Sequence, residues 1–252
     1  MWIISSAKRR GFSVGFNFAG RKISNVNDIR DACFFIYCEK AVLYKHRHHA
    51  QKWHIPPKSV AIAHRDSMLS ALAESIWKYF NSTPNTMNSQ PEFDSFHDTL
   101  CNWFEGELNR TVRSVVGLPN ATYGNAQKMI NVLFKYLSCF DDYPEYADLF
   151  SYCHVPIDNY ILCGLSTSSV LCKIPGVVKI PYDYQYNGLG WYGFDRDTYR
   201  SLVDNYRRYI TKPSDLSYLA VEFDLWIAGN KKRKCILPTS GTMAAPIAEF
   251  HK

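Results

Sequence analysis

The sequence predicts a mainly α-helical protein, and three observations predict it. Apolar residues recur at helical spacing in several stretches between residues 61 and 228. The breaks between them are marked by proline, glycine and asparagine. Strand character is confined to one short apolar run near the start, Ala32-Cys33-Phe34-Phe35-Ile36-Tyr37-Cys38, where periodicity fits a strand or a buried helical turn equally well. The chain has 252 residues, 46% of them hydrophobic. That is enough for a sizeable core, as one large domain or two small ones.

Taken in order, Ala61 to Phe80 reads as a helix, with Met68, Leu69, Leu72, Ile76 and Tyr79 on one stripe. Asn81 to Asp94 is polar with two prolines and reads as a loop and the best internal boundary. Phe96 to Val115 is helical again through Leu100, Trp103, Phe104 and Leu108, and Gly117-Leu118-Pro119-Asn120 ends it. A central helix starts near Tyr123-Gly124-Asn125 and carries the stripe Ile130, Leu133, Phe134 and Leu137. Asp141 to Tyr152 is a looser connection, Asp158 to Leu171 a further helix, and Ile174 to Gly193 a long irregular loop. Thr198 to Ile210 and Asp215 to Ala228 are the last helices. The basic run Lys231-Lys232-Arg233-Lys234 and an aperiodic tail follow them. This divides the chain into an N-terminal mixed or helical region (1–90), a central region (91–230) and a basic tail (231–252).

Composition sets limits on function. A net charge of +6 permits nucleic acid as a partner without requiring it. The aromatic share of 15%, with 17 Tyr, fits core and interface packing before nucleobase platforms. Eight scattered cysteines form no CxxC pair, so neither a zinc ribbon nor a cysteine-held cluster is expected, and reduced thiols are. His46-Arg47-His48-His49 with His54 lacks carboxylates or cysteines at ligand spacing. It reads as a solvated basic face, with phosphate contact as the functional alternative. No metal and no cofactor are expected. Gly188-Leu189-Gly190-Trp191-Tyr192-Gly193 is formally G-x-G-x-x-G but lacks the flanking strand and helix of a dinucleotide site. The N-terminus does not read as a signal peptide, and no stretch approaches a membrane span. A soluble, cytoplasmic protein without a membrane partner is expected.

Two residues carry most of the chemistry. Lys128 stands about one turn inside the central helix, where the macrodipole opposes a cation and favours the uncharged, nucleophilic amine. Asp158 follows Pro156 by two residues, at a helix start where the dipole favours a carboxylate. Read separately, they are a surface lysine and an N-cap aspartate.

A lysine at one helix start and an aspartate at the next, thirty residues on, resembles the active site of the helix-hairpin-helix DNA glycosylases. Within that superfamily the likeness is to the archaeal-type 8-oxoguanine glycosylases, over roughly residues 105–230. The resemblance implies a two-lobed helical fold with residues 91–230 as its catalytic region. Lys128, or a water it activates, would attack the sugar C1′, and Asp158 would stabilise the oxocarbenium-like transition state. It also implies a base pocket in Val221-Glu222-Phe223-Asp224-Leu225-Trp226, where Glu222 and Trp226 are four apart on one helix face. Trp226 would stack on an extruded base and Glu222 would read its edge. DNA-binding residues are expected at Gly124, Asn125, Gln127 and Lys135. The family's hairpin is commonly glycine-rich, whereas Asn120-Ala121-Thr122-Tyr123-Gly124-Asn125 has a single glycine.

The expected function is a DNA glycosylase, acting as a monomer on double-stranded DNA that carries a modified base. The base would be an oxidised purine or a bulky phage-type modified cytosine, the latter making this an antiviral defence enzyme. The alternatives are a helical nucleic-acid-binding module without catalysis, in which Lys128 contacts phosphate and Asp158 only caps, and a helical protein-interaction domain.

Overall fold

The computed structural model describes residues 22–37, 58–82, 89–113, 120–140, 146–158, 161, 178–179, 191–211, 217–219, 221–222 and 225–226. The His46–His54 cluster, the Gly188–Gly190 part of the glycine motif, the Lys231–Lys234 run and the tail lie outside these. So does most of the helix expected over 158–171 and of the loop expected over 174–193. The described residues are mainly α-helical, and no helix among them is long and apolar enough to cross a membrane.

The first helix, α1 (Val26–Ile36), corrects the expectation of strand residues near the start. Asn25 begins it: its side chain accepts the Asn27 N–H at 2.8 Å, while Asp28 reaches back to the N–H groups of Ser24 and Asn25 at 2.8 and 3.0 Å. This reciprocal cap satisfies donors that a helix start otherwise leaves unpaired. Ile29, Ala32, Cys33 and Ile36 then fall on one buried face at helical spacing. The apolar run is thus the inner stripe of a helix.

Helix α2 (Lys58–Ser82) packs against α1 through the expected stripe; Met68, Leu69, Leu72, Ile76 and Tyr79 are all buried. Helix α3 (Gln90–Glu107) starts earlier than its periodicity suggested, which shortens the loop expected over 81–94. Pro91 belongs to its first turn, where the missing N–H has no helical acceptor to lose. A π-helical segment, Leu108–Arg113, continues α3. Its Asn109 is bonded both ways to the Ala121 backbone, accepting the N–H at 2.5 Å and donating to the carbonyl at 3.1 Å. That clamp fixes where the next helix begins.

Helix α4 (Tyr123–Leu137) is the most enclosed of the described helices, with thirteen of its fifteen residues buried. Thr122 caps it, its hydroxyl accepting the Asn125 N–H, while the Asn125 amide oxygen accepts the Thr122 N–H at 3.1 Å. Helices α1 and α3 both pack on it. Of its fifteen residues only Asn125 and Lys128 are not buried, so the single apolar stripe expected from sequence understates its burial. A short α5 (Ala147–Ser151) follows, and residues 153–158 then run alongside α4 without regular structure.

After the two-residue strand β1 (Val178–Lys179), a 3-10 turn at Trp191–Gly193 leads into α6 (Arg196–Tyr209); both pack on α4. Asp195 caps α6 by accepting the Thr198 N–H at 2.8 Å, and Tyr199, Leu202, Val203 and Tyr206 form its buried face. Strand β2 (Ile210–Thr211) pairs antiparallel with β1. Residues 218–219, 221–222 and 225–226 are helical.

Candidate active site

The structure brings Lys128 and Asp158 together. The Lys128 Nζ lies 2.5 Å from Asp158 Oδ2, with the side chains 14% and 9% exposed. The other carboxylate oxygen, Oδ1, accepts the Ile161 N–H at 3.0 Å. Asp158 therefore acts as a cap and as the counter-ion of Lys128, one oxygen for each task.

Gln127 and Ile157, the residues just before this pair in each segment, hold it in register. The Gln127 Nε2 donates to the Ile157 carbonyl at 3.0 Å, and its Oε1 accepts the Ile157 N–H at 3.4 Å. The same amide donates to the Gly124 carbonyl at 3.1 Å. With these bonds made and the side chain fully buried, Gln127 has no reach to a DNA phosphate. That corrects its expected DNA contact and makes it the joint between α4 and the 153–158 segment.

A buried polar network extends from this joint. Asn131 donates to Gln127 Oε1 at 3.0 Å and to the Tyr199 hydroxyl at 2.8 Å, and its Oδ1 meets His97 Nε2 at 2.7 Å. Tyr199 meets His154 Nδ1 at 3.0 Å, and His154 Nε2 meets Asp94 at 2.8 Å. Asp94 is gripped by both terminal nitrogens of Arg207 at 2.7 and 2.8 Å. Burial pushes the His97 and His154 imidazoles below their ordinary range, so both are neutral near pH 7. Desolvation opposes ionisation of Asp94, but hydrogen bonds from His154 and Arg207 hold its carboxyl well below the usual carboxylate range. These residues meet from four separate segments, and no spacing in the sequence singled them out.

One heptad along α4, Lys135 makes a second pair. Its Nζ lies 2.5 Å from Glu222 Oε2, with the side chains 4% and 1% exposed. Lys135 is sealed inside the protein, which corrects its expected role as a DNA contact. Burial raises the Glu222 carboxyl, the Lys135 charge works against that, and the charges of Asp158 and Lys128 also reach it. The two ion pairs are therefore electrostatic neighbours. Trp226 is half-buried, and Leu225 beside it is fully buried.

Gly124 is buried, with a structural role different from the expected phosphate contact. Its N–H donates to the Phe194 carbonyl at 2.8 Å, and a Cβ at this position would collide with the Trp191 carbonyl oxygen. Only glycine lets the 191–194 segment lie directly on α4. That close approach brings the Trp191 ring to 5.9 Å from the Lys128 Nζ. Asn125 is half-buried and engaged in the helix cap.

Exposed cations lie at the start of α6. Arg196 donates to Asp98 through Nε at 2.8 Å and through a terminal nitrogen at 2.5 Å, and Arg200 lies 3.1 Å from the same carboxylate. The Tyr123 hydroxyl also donates to Asp98, at 3.1 Å. Both arginine side chains remain about half exposed, at 47% and 49%. Among the described residues, no group of three or more His, Cys, Asp or Glu is arranged to hold a metal ion. No protein-family model, no curated protein and no solved structure matches this chain.

Proposed function

We propose that the protein is a DNA glycosylase that takes a modified base out of the duplex and cleaves its glycosidic bond at the Lys128–Asp158 pair. The observation that carries this reading is the pair itself. A primary amine and a carboxylate from segments thirty residues apart meet at 2.5 Å, at one of only two places where α4 is not buried. Buried hydrogen bonds from the adjacent Gln127 and Ile157 support the alignment. A solvated surface ion pair contributes little and needs no such support.

In this reading Asp158 accepts a proton from Lys128, and the freed amine attacks C1′ as the base departs. Alternatively, the pair orients a water for the same attack. In both cases a carboxylate beneath the sugar offsets the positive charge that develops as the bond breaks. Amine attack yields a Schiff base and permits strand cleavage, whereas water leaves an intact abasic strand. The base site lies beside the Lys128–Asp158 pair; Glu222, 1% exposed and sealed against Lys135, takes no part in it. Arg196 and Arg200 take over the phosphate contact that buried Lys135 cannot make.

The substrate is a duplex carrying an oxidised purine or a bulky phage-type cytosine; excision of the latter would serve antiviral defence. The test is incubation with duplexes carrying 8-oxoguanine, 5-hydroxymethylcytosine or glucosylated 5-hydroxymethylcytosine, followed by assay for alkali-labile abasic sites. Release of one of these bases is the expected result. Tight duplex binding with no base released from any of them would favour the non-catalytic nucleic-acid module.

A further inference from the structure

We infer that Trp191 is a wall of the base site, the aromatic surface against which the departing nucleobase is held; this rests on the proposed glycosylase reading. Residues 191–194 are fixed to the start of α4 by the Gly124 N–H bond to Phe194 at 2.8 Å, and the Phe194 N–H turns back to the Trp191 carbonyl at 3.3 Å. A side chain at 124 would force the two apart, because the Trp191 carbonyl carbon and the Phe194 nitrogen already lie 3.1 and 3.2 Å from where a Cβ would stand. Trp191 is thereby held against the helix that carries the nucleophile, with its indole half-buried and 5.9 Å from the Lys128 amine.

A reacting carbon must come within about 3–3.5 Å of the amine. On the indole side of Lys128, a C1′ so placed lies beside a ring whose centre is 5.9 Å from the amine. In-line attack sends the base away from the amine, and we place it along the indole, which a base joined to C1′ by a single bond reaches with its flat face. A planar heteroaromatic group is what an indole face accepts best, and it accepts it whichever base is presented. The ligand class is therefore a purine or pyrimidine ring, and discrimination between bases falls to other residues.

Three proteins decide it: wild type, Trp191→Ala and Trp191→Phe. Base release is measured on the duplexes named above, and affinity on a duplex with a tetrahydrofuran abasic analogue, which has a sugar but no base. Trp191→Ala should slow base release tenfold to a hundredfold, the range of one lost stacking contact. Trp191→Phe should restore most of it, and neither change should weaken binding to the tetrahydrofuran duplex. Unchanged base release, or an equal loss on the baseless duplex, would overturn the inference. Should wild type release no base at all, the glycosylase reading fails separately. Quenching of tryptophan fluorescence by millimolar 8-oxo-2′-deoxyguanosine or 5-hydroxymethyl-2′-deoxycytidine then decides the Trp191 site. Quenching that disappears in Trp191→Phe upholds a base site there; quenching that is absent, or unaltered in that variant, refutes it.

Discussion

Lys128 and Lys135 lie one heptad apart on the same helix, and each is 2.5 Å from a carboxylate oxygen. Their geometry is alike and their access is not. The Lys128–Asp158 side chains are 14% and 9% exposed, against 4% and 1% for Lys135–Glu222. A pair that must receive a sugar needs an opening; a sealed pair serves the core, where two desolvated charges are tolerable only because each neutralises the other. The lesson is that an ion pair's role on this helix is set by what covers it, which neither residue identity nor spacing reports.

The comparison breaks first on stability. Lys135→Met leaves Glu222 buried and unpaired and should cost about 3–5 kcal/mol. Thermal or urea unfolding should show a far smaller loss for Lys128→Met, because Asp158 keeps its bond to the Ile161 N–H and some access to water. The double variant Lys135→Met/Glu222→Leu should recover much of the loss. Equal costs at Lys128 and Lys135 would dissolve the distinction between the two pairs.

Next comes the joint beside the open pair. Gln127→Leu removes both bonds to the Ile157 backbone and leaves buried polar groups without partners, a cost of about 1–3 kcal/mol. Base release should fall more than duplex affinity, since the amine and carboxylate lose their register. Gly124→Ala is similar in size: a methyl forced against the Trp191 carbonyl should cost about 1–3 kcal/mol. Undiminished stability in Gly124→Ala would mean that the 191–194 segment does not bear on α4 as described.

The smallest expected effect is the pH dependence of the network behind the open pair. His97 and His154 are held below their ordinary range by burial, whereas in the unfolded chain they take up protons near pH ~6.5. Below that pH the unfolded state binds more protons, so stability falls as pH drops from 7 to 5. Asp94, with its lowered carboxyl, contributes stability that is present above pH ~4 and is lost as pH falls further. A melting temperature that rises between pH 7 and 5 would contradict the neutral buried histidines.

Much of this was legible locally. The stripe of Met68, Leu69, Leu72, Ile76 and Tyr79 and the start of α4 near Tyr123 follow from helical spacing and a break signal. Lys128 and Asp158 stood out because each lies at a helix-start signal. What escaped depended on contacts that the chain closes only in three dimensions. Lys135 reads as a DNA contact until helices and turns from elsewhere enclose α4, and Glu222 reads as a base-edge contact until Lys135 meets it. The His97–Asn131–Tyr199–His154 network spans separations of 34, 68 and 45 residues, with no period to betray it. Trp191 belongs to an aperiodic stretch, and its importance shows only in the space that Gly124 leaves for its backbone. The helical identity of α1 depended on the Asn25–Asp28 cap, which settles what an ambiguous apolar run could not.

The most direct measurement of the central claim is base release and borohydride trapping on a modified-base duplex, for wild type, Lys128→Ala and Asp158→Asn at matched duplex binding. The account predicts that both variants lose base release by about 10²–10⁴ or more, while duplex affinity, set mainly by phosphate contacts, is largely kept. A trapped covalent adduct that disappears in Lys128→Ala identifies the amine as nucleophile, whereas active enzyme without an adduct identifies water. Base release at the wild-type rate in either variant would contradict the account.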